Sequence, residues 1–300
     1  MERIGILGDV HYINSKQELK QELAVQLKSY YIACLEYLKK ETQTARFLSV
    51  GDIAHTGQKS EFLEFYDLIK SHGIDLSHVM GNHDLLQFKK DELTDLEYYR
   101  RDCLIREEEY DILFLDTAKE KKEEDWGGIL NNSQLELLKK CVIESNQRLL
   151  IVVAHHPIFD TTYGSTDYLM SIEENAEINH ILDMKVGQGI FVCGHTHLSS
   201  MVKKKNWSMI QAASIMNMNT IPFLLINHGE AFVVWSRIKD KELKEMRENL
   251  NVGDKVTTIG GIIAHVAKVE ENAVILEIGP NRTKVPFEKW AIGKVESKEA

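Results

Sequence analysis

Residues 190–197 read IFVCGHTH, in which four apolar residues are followed by a glycine and by histidines at positions 195 and 197. A short apolar run that stops at a glycine is typical of a buried β-strand that ends in a turn. Alternate side chains of an extended chain point to the same side, so His195 and His197 can contact one ligand together. The stretch therefore predicts a strand with a pair of histidines at its carboxyl end.

The same pattern occurs four more times towards the N-terminus. Apolar runs at residues 3–7, 47–50, 77–80 and 149–154 are each followed by polar side chains, and residues 112–115 predict one more strand, the fourth of six in chain order. Ligands of an open α/β sheet bind outside the carboxyl ends of its strands, so we expect these polar side chains to converge. In chain order the polar segments are Gly8-Asp9-Val10-His11, Gly51-Asp52, Gly81-Asn82-His83-Asp84 and His155-His156-Pro157.

Stretches with helical spacing separate the predicted strands. Apolar residues recur every three or four positions between residues 18 and 40, and residues 61–70 and 133–143 behave likewise. Asn132 or Ser133 is the predicted N-cap of the last of these helices. Because strands alternate with helices, the sequence predicts a layered α/β domain.

The pattern changes after about residue 199. Residues 223–226 and 231–238 flank a short turn and predict a hairpin that completes a second sheet. Residues 239–250 (KDKELKEMRENL) predict a charged connecting helix, whereas the rest of the chain is β-prone. We therefore divide the chain into a domain of residues 1–238, a linker helix of residues 239–250 and a small all-β module of residues 251–300.

Composition excludes several classes of protein. The 300 residues contain 36 Lys and Arg against 46 Asp and Glu, a net charge of −10, which argues against binding a nucleic-acid polymer. The longest apolar run, Leu149–Ala154, is far shorter than the roughly 20 residues of a membrane span. The four cysteines form no CxxC pair and predict reduced thiols, so we expect a cytoplasmic protein.

The residue types at the strand ends favour metal binding. Asp9 and His11 have the same two-residue spacing as the histidine pair at the sixth strand, and mixed nitrogen and oxygen ligands suit Zn, Mn, Fe or Mg. A lone Asp-x-His or His-x-His pair is more often structural than metal-binding, whereas the segment Gly81-Asn82-His83-Asp84 is more telling. Five of them in this order, each after a predicted strand, favour one shared metal site.

The motif order resembles that of the calcineurin-type metallophosphoesterase superfamily over about residues 1–237. Its compact spacing and its His-His-Pro segment resemble the branch of class III cyclic-nucleotide phosphodiesterases and bacterial glycerophosphodiesterases. The resemblance implies a four-layer α/β-β/α sandwich with a dinuclear metal centre. The matching motifs are Asp9-Val-His11, Gly51-Asp52, Gly81-Asn-His-Asp84, Val152-Val-Ala-His155 and Gly194-His-Thr-His197.

The resemblance also implies a role for each residue. Two divalent ions, Mn, Fe or Zn, are expected, with Asp52 bridging them. His83 is expected at the leaving-group oxygen, oriented by the carboxylate of Asp84, and its alternative role is to support the metal ligands. Asp9, His11 and His197 are the implied ligands of one ion, and Asn82, His155 and His195 those of the other.

Two choices near the fifth strand remain open in the sequence. His155 is in register with the family motif and is the expected ligand, whereas His156 either contacts substrate or supports its loop. Residues 159–170 (FDTTYGSTDYLM) form either a lid over the metal edge or a packed connection.

The resemblance implies a phosphodiesterase that hydrolyses a small phosphate ester, such as a 3',5'-cyclic nucleotide, through a hydroxide that bridges the two ions. A phosphomonoesterase or a glycerophosphodiesterase has the same metal ligands. A binding scaffold that keeps the fold without catalysis is the alternative from another class.

Residues 244–297 resemble a second family, the soluble part of the small accessory subunit YajC of the bacterial Sec preprotein translocase. The similarity is carried by LNVGDKVTTIGGI at residues 250–262, VILEI at 274–278 and KVPF at 284–287. In that family a membrane-spanning helix precedes this part, whereas here a phosphoesterase-like domain precedes it. We therefore carry over only the small β fold, and expect a module for packing, for dimerisation or for docking a partner.

Overall fold

The structure, a computed structural model, describes residues 1–14, 21–120, 124–173, 175–215, 220–237, 245–258, 262–279 and 281–296. They belong to two compact units, Met1–Ser236 and Arg237–Ala300.

The described part of the first unit is an alternation of strands and helices, as the sequence predicts. Each of the six predicted strands is present within about two residues of its expected position. The elements are β1 (Glu2–Leu7), α1 (Gln21–Thr42), β2 (Arg46–Ser49), α2 (Lys59–Ser71), β3 (Asp75–His78), β4 (Cys103–Arg106), β5 (Tyr110–Leu115), α3 (Asn132–Ser145), β6 (Leu149–Ala154), α4 (Asn175–Leu182), β7 (Gly189–Cys193), β8 (Ser200–Lys204), β9 (Trp207–Gln211), β10 (Thr220–Asn227) and β11 (Glu230–Arg237).

These strands form two sheets. The first has the order β11-β10-β1-β2-β3 and the second the order β4-β5-β6-β7-β9-β8. The hairpin of β10 and β11 was expected to complete a second sheet, and this expectation is wrong. It extends the first sheet, because β10 pairs antiparallel with β1 and places Leu224 opposite Ile4 in the same core.

The two sheets pack face to face around a shared apolar core. Ile4 and Ile6 of β1 lie in this core with Ile151 and Val153 of β6, all of them at most 1% exposed. The alternate residues of β6 point to the other face, where they pack with α3 and α4. Each fully buried aliphatic side chain of this kind contributes about 1.5–3 kcal/mol. The predicted four-layer α/β-β/α sandwich is confirmed.

The N-cap of α3 lies one residue earlier than predicted. Asn131, rather than Asn132 or Ser133, accepts a hydrogen bond from the main-chain N–H of Gln134 at 3.0 Å. The side chain of Gln134 accepts one from the Asn131 N–H at 2.9 Å. This reciprocal pair satisfies two otherwise unpaired donors, which favours Asn131 over Asn132 and Ser133 as the N-cap.

The second unit is a single antiparallel sheet in the order β15-β14-β13-β12-β16. Residues 245–248 before it are helical, whereas residues 238–244 of the predicted linker helix lie outside the described residues. The linker helix and the domain limits therefore stay predictions. Among the described residues, no helix is both long and apolar enough to cross a membrane. The strands are β12 (Lys255–Thr258), β13 (Ile263–Val269), β14 (Ala273–Ile278), β15 (Thr283–Glu288) and β16 (Ile292–Glu296).

Candidate metal centre

The seven predicted ligands converge at one edge of the first unit, beyond the carboxyl ends of β1, β2, β3, β6 and β7. We call this group the metal edge. It contains two clusters of three residues each, and its seventh residue, Asp9, lies near Asp52 and His155. Its members are Asp9, His11, Asp52, Asn82, His155, His195 and His197.

The first cluster consists of Asn82, His155 and His195. His155 Nδ1–H donates to the main-chain oxygen of Val50 at 2.8 Å, and His195 Nε2–H donates to that of Leu169 at 3.2 Å. The other nitrogen of each neutral ring is therefore a lone pair. These two nitrogens lie 3.0 and 3.1 Å from Asn82 Oδ1 and 3.2 Å from each other. Three acceptors that face one another repel unless a cation lies among them.

The second cluster pairs two histidines with a carboxylate. His11 Nε2 and His197 Nε2 lie 2.9 Å apart, and ligand atoms of both lie within 4.8 Å of Asp52. Asp52 Oδ2 is 3.7 Å from His11 Nε2 and 3.6 Å from His155 Nε2. One carboxylate oxygen thus lies beside both clusters, the position that a bridging ligand requires.

Asp9 places a second carboxylate in this buried space. Its two oxygens accept the main-chain N–H of His195 at 3.1 and 3.2 Å. Burial raises the pKa of Asp9 well above its ordinary value, and the nearby charge of Asp52 raises it further. Without a cation, the two carboxylates oppose each other's ionisation.

Burial has the opposite effect on the imidazoles. It lowers the pKa of His11, His155 and His195 to about 3 each, and it lowers the pKa of His197 as well. These rings are therefore neutral near pH 7, the form in which imidazole binds a metal. Neutral imidazoles, one amide oxygen and two crowded carboxylates fit a pair of divalent cations.

The main chain at this edge adopts conformations that are rare outside glycine. His11, Asp52, His195 and His197 all have positive φ, between 48° and 70°. Such conformations cost about 1–3 kcal/mol each and cluster at functional sites. The sequence gives no sign of them. It does explain Gly81, where a Cβ atom would lie 2.1 Å from Asp52 Oδ1.

His83 lies at the metal edge as predicted, but Asp84 does not orient it. His83 Nδ1–H donates to the main-chain oxygen of His55 at 2.8 Å, which leaves Nε2 free. The Asp84 carboxylate is fully buried and accepts the main-chain N–H groups of Ala54 and Gly81 at 2.7 and 2.9 Å. The expected role of Asp84 is therefore wrong, because its oxygens fasten the two metal-edge loops to each other.

The structure also distinguishes His155 from His156. His156 Nε2–H donates to the main-chain oxygen of Trp126 at 2.7 Å, and its Nδ1 accepts the hydroxyl of Thr117 at 2.8 Å. Both of its ring nitrogens are occupied. The sequence left two roles open for His156, contact with substrate or support of its loop, and these bonds are those of a loop support.

A cavity of about 420 Å³ opens beside the metal edge. Besides polar residues of that edge and His83, it is lined by Leu86, Trp126 and Met170. Met170 belongs to the segment that the sequence left open as a lid or a connection. Leu86 and Trp126 were not predicted, because a single apolar residue in a loop gives no periodic signal.

Comparison with known proteins agrees with this geometry. Residues 2–199 match the family model of calcineurin-like phosphoesterases, and residues 221–296 match that of the preprotein translocase subunit YajC. The second match begins inside β10, which pairs with β1 in the first unit.

Two relatives illustrate the two parts. The 3',5'-cyclic adenosine monophosphate phosphodiesterase CpdA of Haemophilus influenzae is 22% identical over 183 residues, 61% of this chain and 65% of that protein. The Sec translocon accessory complex subunit YajC of Borreliella burgdorferi is 49% identical over 63 residues, 21% of this chain and 59% of that protein. The chain thus spans less than two thirds of either relative.

Among solved structures, a dimetal phosphatase from Danio rerio shares the fold. It superposes with a TM-score of 0.59 at 13% identity, over 77% of this chain and 98% of that one. The family match covers most of the first unit, and the buried His and Asp clusters agree with a dinuclear metal site. The chain therefore belongs to the calcineurin-like phosphoesterase family and also carries a YajC-type domain.

Proposed function

We propose that this chain is a phosphodiesterase that hydrolyses a small phosphate ester such as a 3',5'-cyclic nucleotide. The observation that supports it most is the position of Asp52, whose Oδ2 lies within 3.7 Å of a nitrogen in each histidine cluster. We propose Asp52 as the bridging ligand. We assign Asp9, His11 and His197 to one ion, and Asn82, His155 and His195 to the other.

A pair of Mn, Fe or Zn ions would supply an activated water and neutralise the charge of the phosphate. The chain contributes neutral imidazoles and buried carboxylates whose ligand atoms lie close together. It also contributes the main-chain hydrogen bonds that fix each ring. Those bonds orient the ligands, and loss of such supports typically costs about 10–100-fold in metal affinity or activity.

We assign His83 to the leaving-group oxygen. Its Nδ1 is held by the His55 main-chain oxygen, so only Nε2 can deliver a proton or a hydrogen bond to the substrate. His83→Ala should lower kcat by about 10²–10⁴-fold while both ions stay bound. Loss of metal along with activity would instead favour the supporting role.

The preference for a diester rests on the similarity to CpdA and on the motif spacing. A phosphomonoesterase or a glycerophosphodiesterase with the same centre is the second candidate. The test is metal analysis of the purified chain, followed by hydrolysis of bis-p-nitrophenyl phosphate and p-nitrophenyl phosphate. Activity on the diester supports the proposal, and activity on the monoester alone overturns the diester preference. No activity after loading with Mn and Zn favours the non-catalytic scaffold.

We propose that the YajC-type unit serves dimerisation or docking and has no catalytic role. The relatives that match it are subunits of the Sec translocon accessory complex, so a translocon component is one candidate partner. Sedimentation of the full chain against a variant without residues 251–300 tests this, with circular dichroism as the folding control. An unchanged oligomer and unchanged stability would contradict it.

The four free cysteines support a cytoplasmic location, which we include in the proposal.

A further inference from the structure

The cavity beside the metal edge has two chemically different walls. Its volume of about 420 Å³ is typical of a small-molecule site. One wall consists of metal-edge residues and His83. The other consists of Leu86, Trp126 and Met170, which come from three separate segments and are all partly exposed. A ligand here contacts polar groups on one side and an apolar surface on the other.

Two histidines form hydrogen bonds with the main chain of the segments that carry the apolar wall. His156 donates to the main-chain oxygen of Trp126 at 2.7 Å. His195, a proposed metal ligand, donates to that of Leu169, the neighbour of Met170, at 3.2 Å. The position of the wall is therefore tied to the position of the metal edge.

Two of the three segments that carry this wall, those of Trp126 and Met170, are also joined to each other. The N–H of Gly128 donates to the main-chain oxygen of Ser171 at 3.1 Å, and that of Glu173 donates to Gly128 at 3.0 Å. Lys119, whose side chain is only 11% exposed, forms ion pairs with both Asp125 and Glu173. These contacts build a wall of defined shape, as a specificity surface requires.

Trp126 adds a flat surface to this wall. Its side chain is partly exposed, and its indole ring is the largest flat group among the residues that line the cavity. Its Nε1 atom is buried, so a ligand in the cavity contacts the rest of the indole and not the N–H. A flat apolar face opposite a polar wall suits an aromatic heterocycle.

We propose that Trp126 recognises the alcohol part of the substrate and that this part carries a nucleobase. The base would stack on the indole, while the phosphate lies against the metal edge. This inference rests on the phosphodiesterase function proposed above. A glycerol alcohol has no flat face, so we expect glycerophosphodiesters to be poor substrates.

The test uses the full chain loaded with Mn²⁺ and three diesters: cyclic AMP, the linear dinucleotide ApA and glycerophosphoethanolamine. The first two distinguish the sources of a nucleobase, and the third lacks one. We compare the wild type with Trp126→Ala and Trp126→Phe, with Tyr168→Ala as the control. Tyr168 is an aromatic residue close to Met170 in sequence that is 82% exposed and does not line the cavity.

Trp126→Ala should raise KM for the preferred nucleobase diester by roughly 5- to 150-fold, the range of base–aromatic stacking. Its kcat should change less than about threefold, because the metal edge is intact. Trp126→Phe keeps a smaller aromatic ring, so its KM should lie between those of the wild type and Trp126→Ala. Tyr168→Ala should match the wild type. Calorimetry with adenosine 5'-monophosphate should show the same loss of affinity without turnover.

Two kinds of failure are distinguishable. Equal losses on all three diesters, no loss on the nucleobase diesters, or a wild-type preference for glycerophosphoethanolamine would overturn the role of Trp126 and leave the phosphodiesterase function intact. Absence of hydrolysis of every diester would overturn the proposed function itself. In that event, unchanged affinity of Trp126→Ala for adenosine 5'-monophosphate would overturn the binding role as well.

Discussion

The metal edge and the YajC-type unit bury different kinds of side chain. At the metal edge the buried residues include Asp9, Asp52, His155 and His195, none more than 9% exposed. In the described part of the C-terminal unit, every buried side chain is apolar except Thr258. The apolar ones are Leu250, Val256, Ala264, Val266, Val274, Leu276 and Ile292.

The difference shows that a ligand site can be recognised by buried groups that destabilise the fold when no ligand is bound. Burial of a charged or polar group without a partner destabilises a fold, and apolar burial stabilises it. The metal edge combines opposed carboxylates, acceptors that face one another and four residues with positive φ. The C-terminal unit buries no ionisable group among its described residues. The first region is organised for a ligand and the second for packing.

The largest expected effect comes from Asp52→Asn. Loss of the bridging charge should lower kcat at least about 10³-fold, since metal charge stabilisation is worth several kcal/mol. The metal-free variant should melt at or above the wild-type temperature, because one of two opposed carboxylates is gone. Activity assays, metal analysis and calorimetry measure both effects, with the exposed residue Asp67→Asn as the control. Retained activity, or a melting temperature of the metal-free variant below that of the metal-free wild type, would contradict the proposed difference between the two regions.

His155 and His156 are adjacent in sequence, and we expect substitutions of the two to have different effects on metal content and activity. His155→Ala should remove one ion and lower activity more than about 10²-fold, because its Nε2 is a free lone pair in the first cluster. His156→Ala should keep both ions and cost about 10-fold, since His156 supports the loop of Trp126. Metal stoichiometry by mass spectrometry distinguishes them. The reverse order would show that the ligand register is off by one.

A core substitution in the C-terminal unit should affect stability alone. Leu276 is fully buried, so Leu276→Ala should cost that unit about 2–5 kcal/mol. We expect kcat to stay within twofold of the wild type. Calorimetry and limited proteolysis report the first effect, and Leu138→Ala in α3 is the matched change in the other unit. A large loss of kcat in Leu276→Ala would mean that packing and catalysis are not separate here.

The smallest expected effect is a pH dependence from His78. Burial lowers its pKa to about 4, so the folded state keeps it neutral where the unfolded chain, near 6.5, is protonated. Its contribution is therefore complete above pH 6.5 and is lost as the pH falls towards 4. Between pH 7 and pH 5 the loss should be about 1–2 kcal/mol.

Urea unfolding of the wild type and of His78→Gln at both pH values measures this loss. His78→Gln should lose less stability than the wild type over the same interval. Identical slopes would disprove the assignment.

Much of the fold and of the site could be predicted because both depend on local patterns. Apolar runs gave the strands, and the residue after each run gave the metal edge. The pairing of β10 with β1 could not be predicted, because a hairpin fits any sheet with a free edge. The partner of His83 could not be predicted either, since it is a main-chain oxygen that any residue at position 55 would supply.

The sequence by itself determined which side chains lie at the metal edge, because a strand places the residues that follow it at its carboxyl end. Only the tertiary structure decided what each side chain does there. It assigned a free ring nitrogen to His155 and a supporting role to His156, and it showed that Asp84 bonds to the main chain of two loops and not to His83. It also placed Trp126 and Met170 beside the same cavity. Those assignments depend on distances between segments far apart in the chain, and such distances are fixed by packing and not by local spacing.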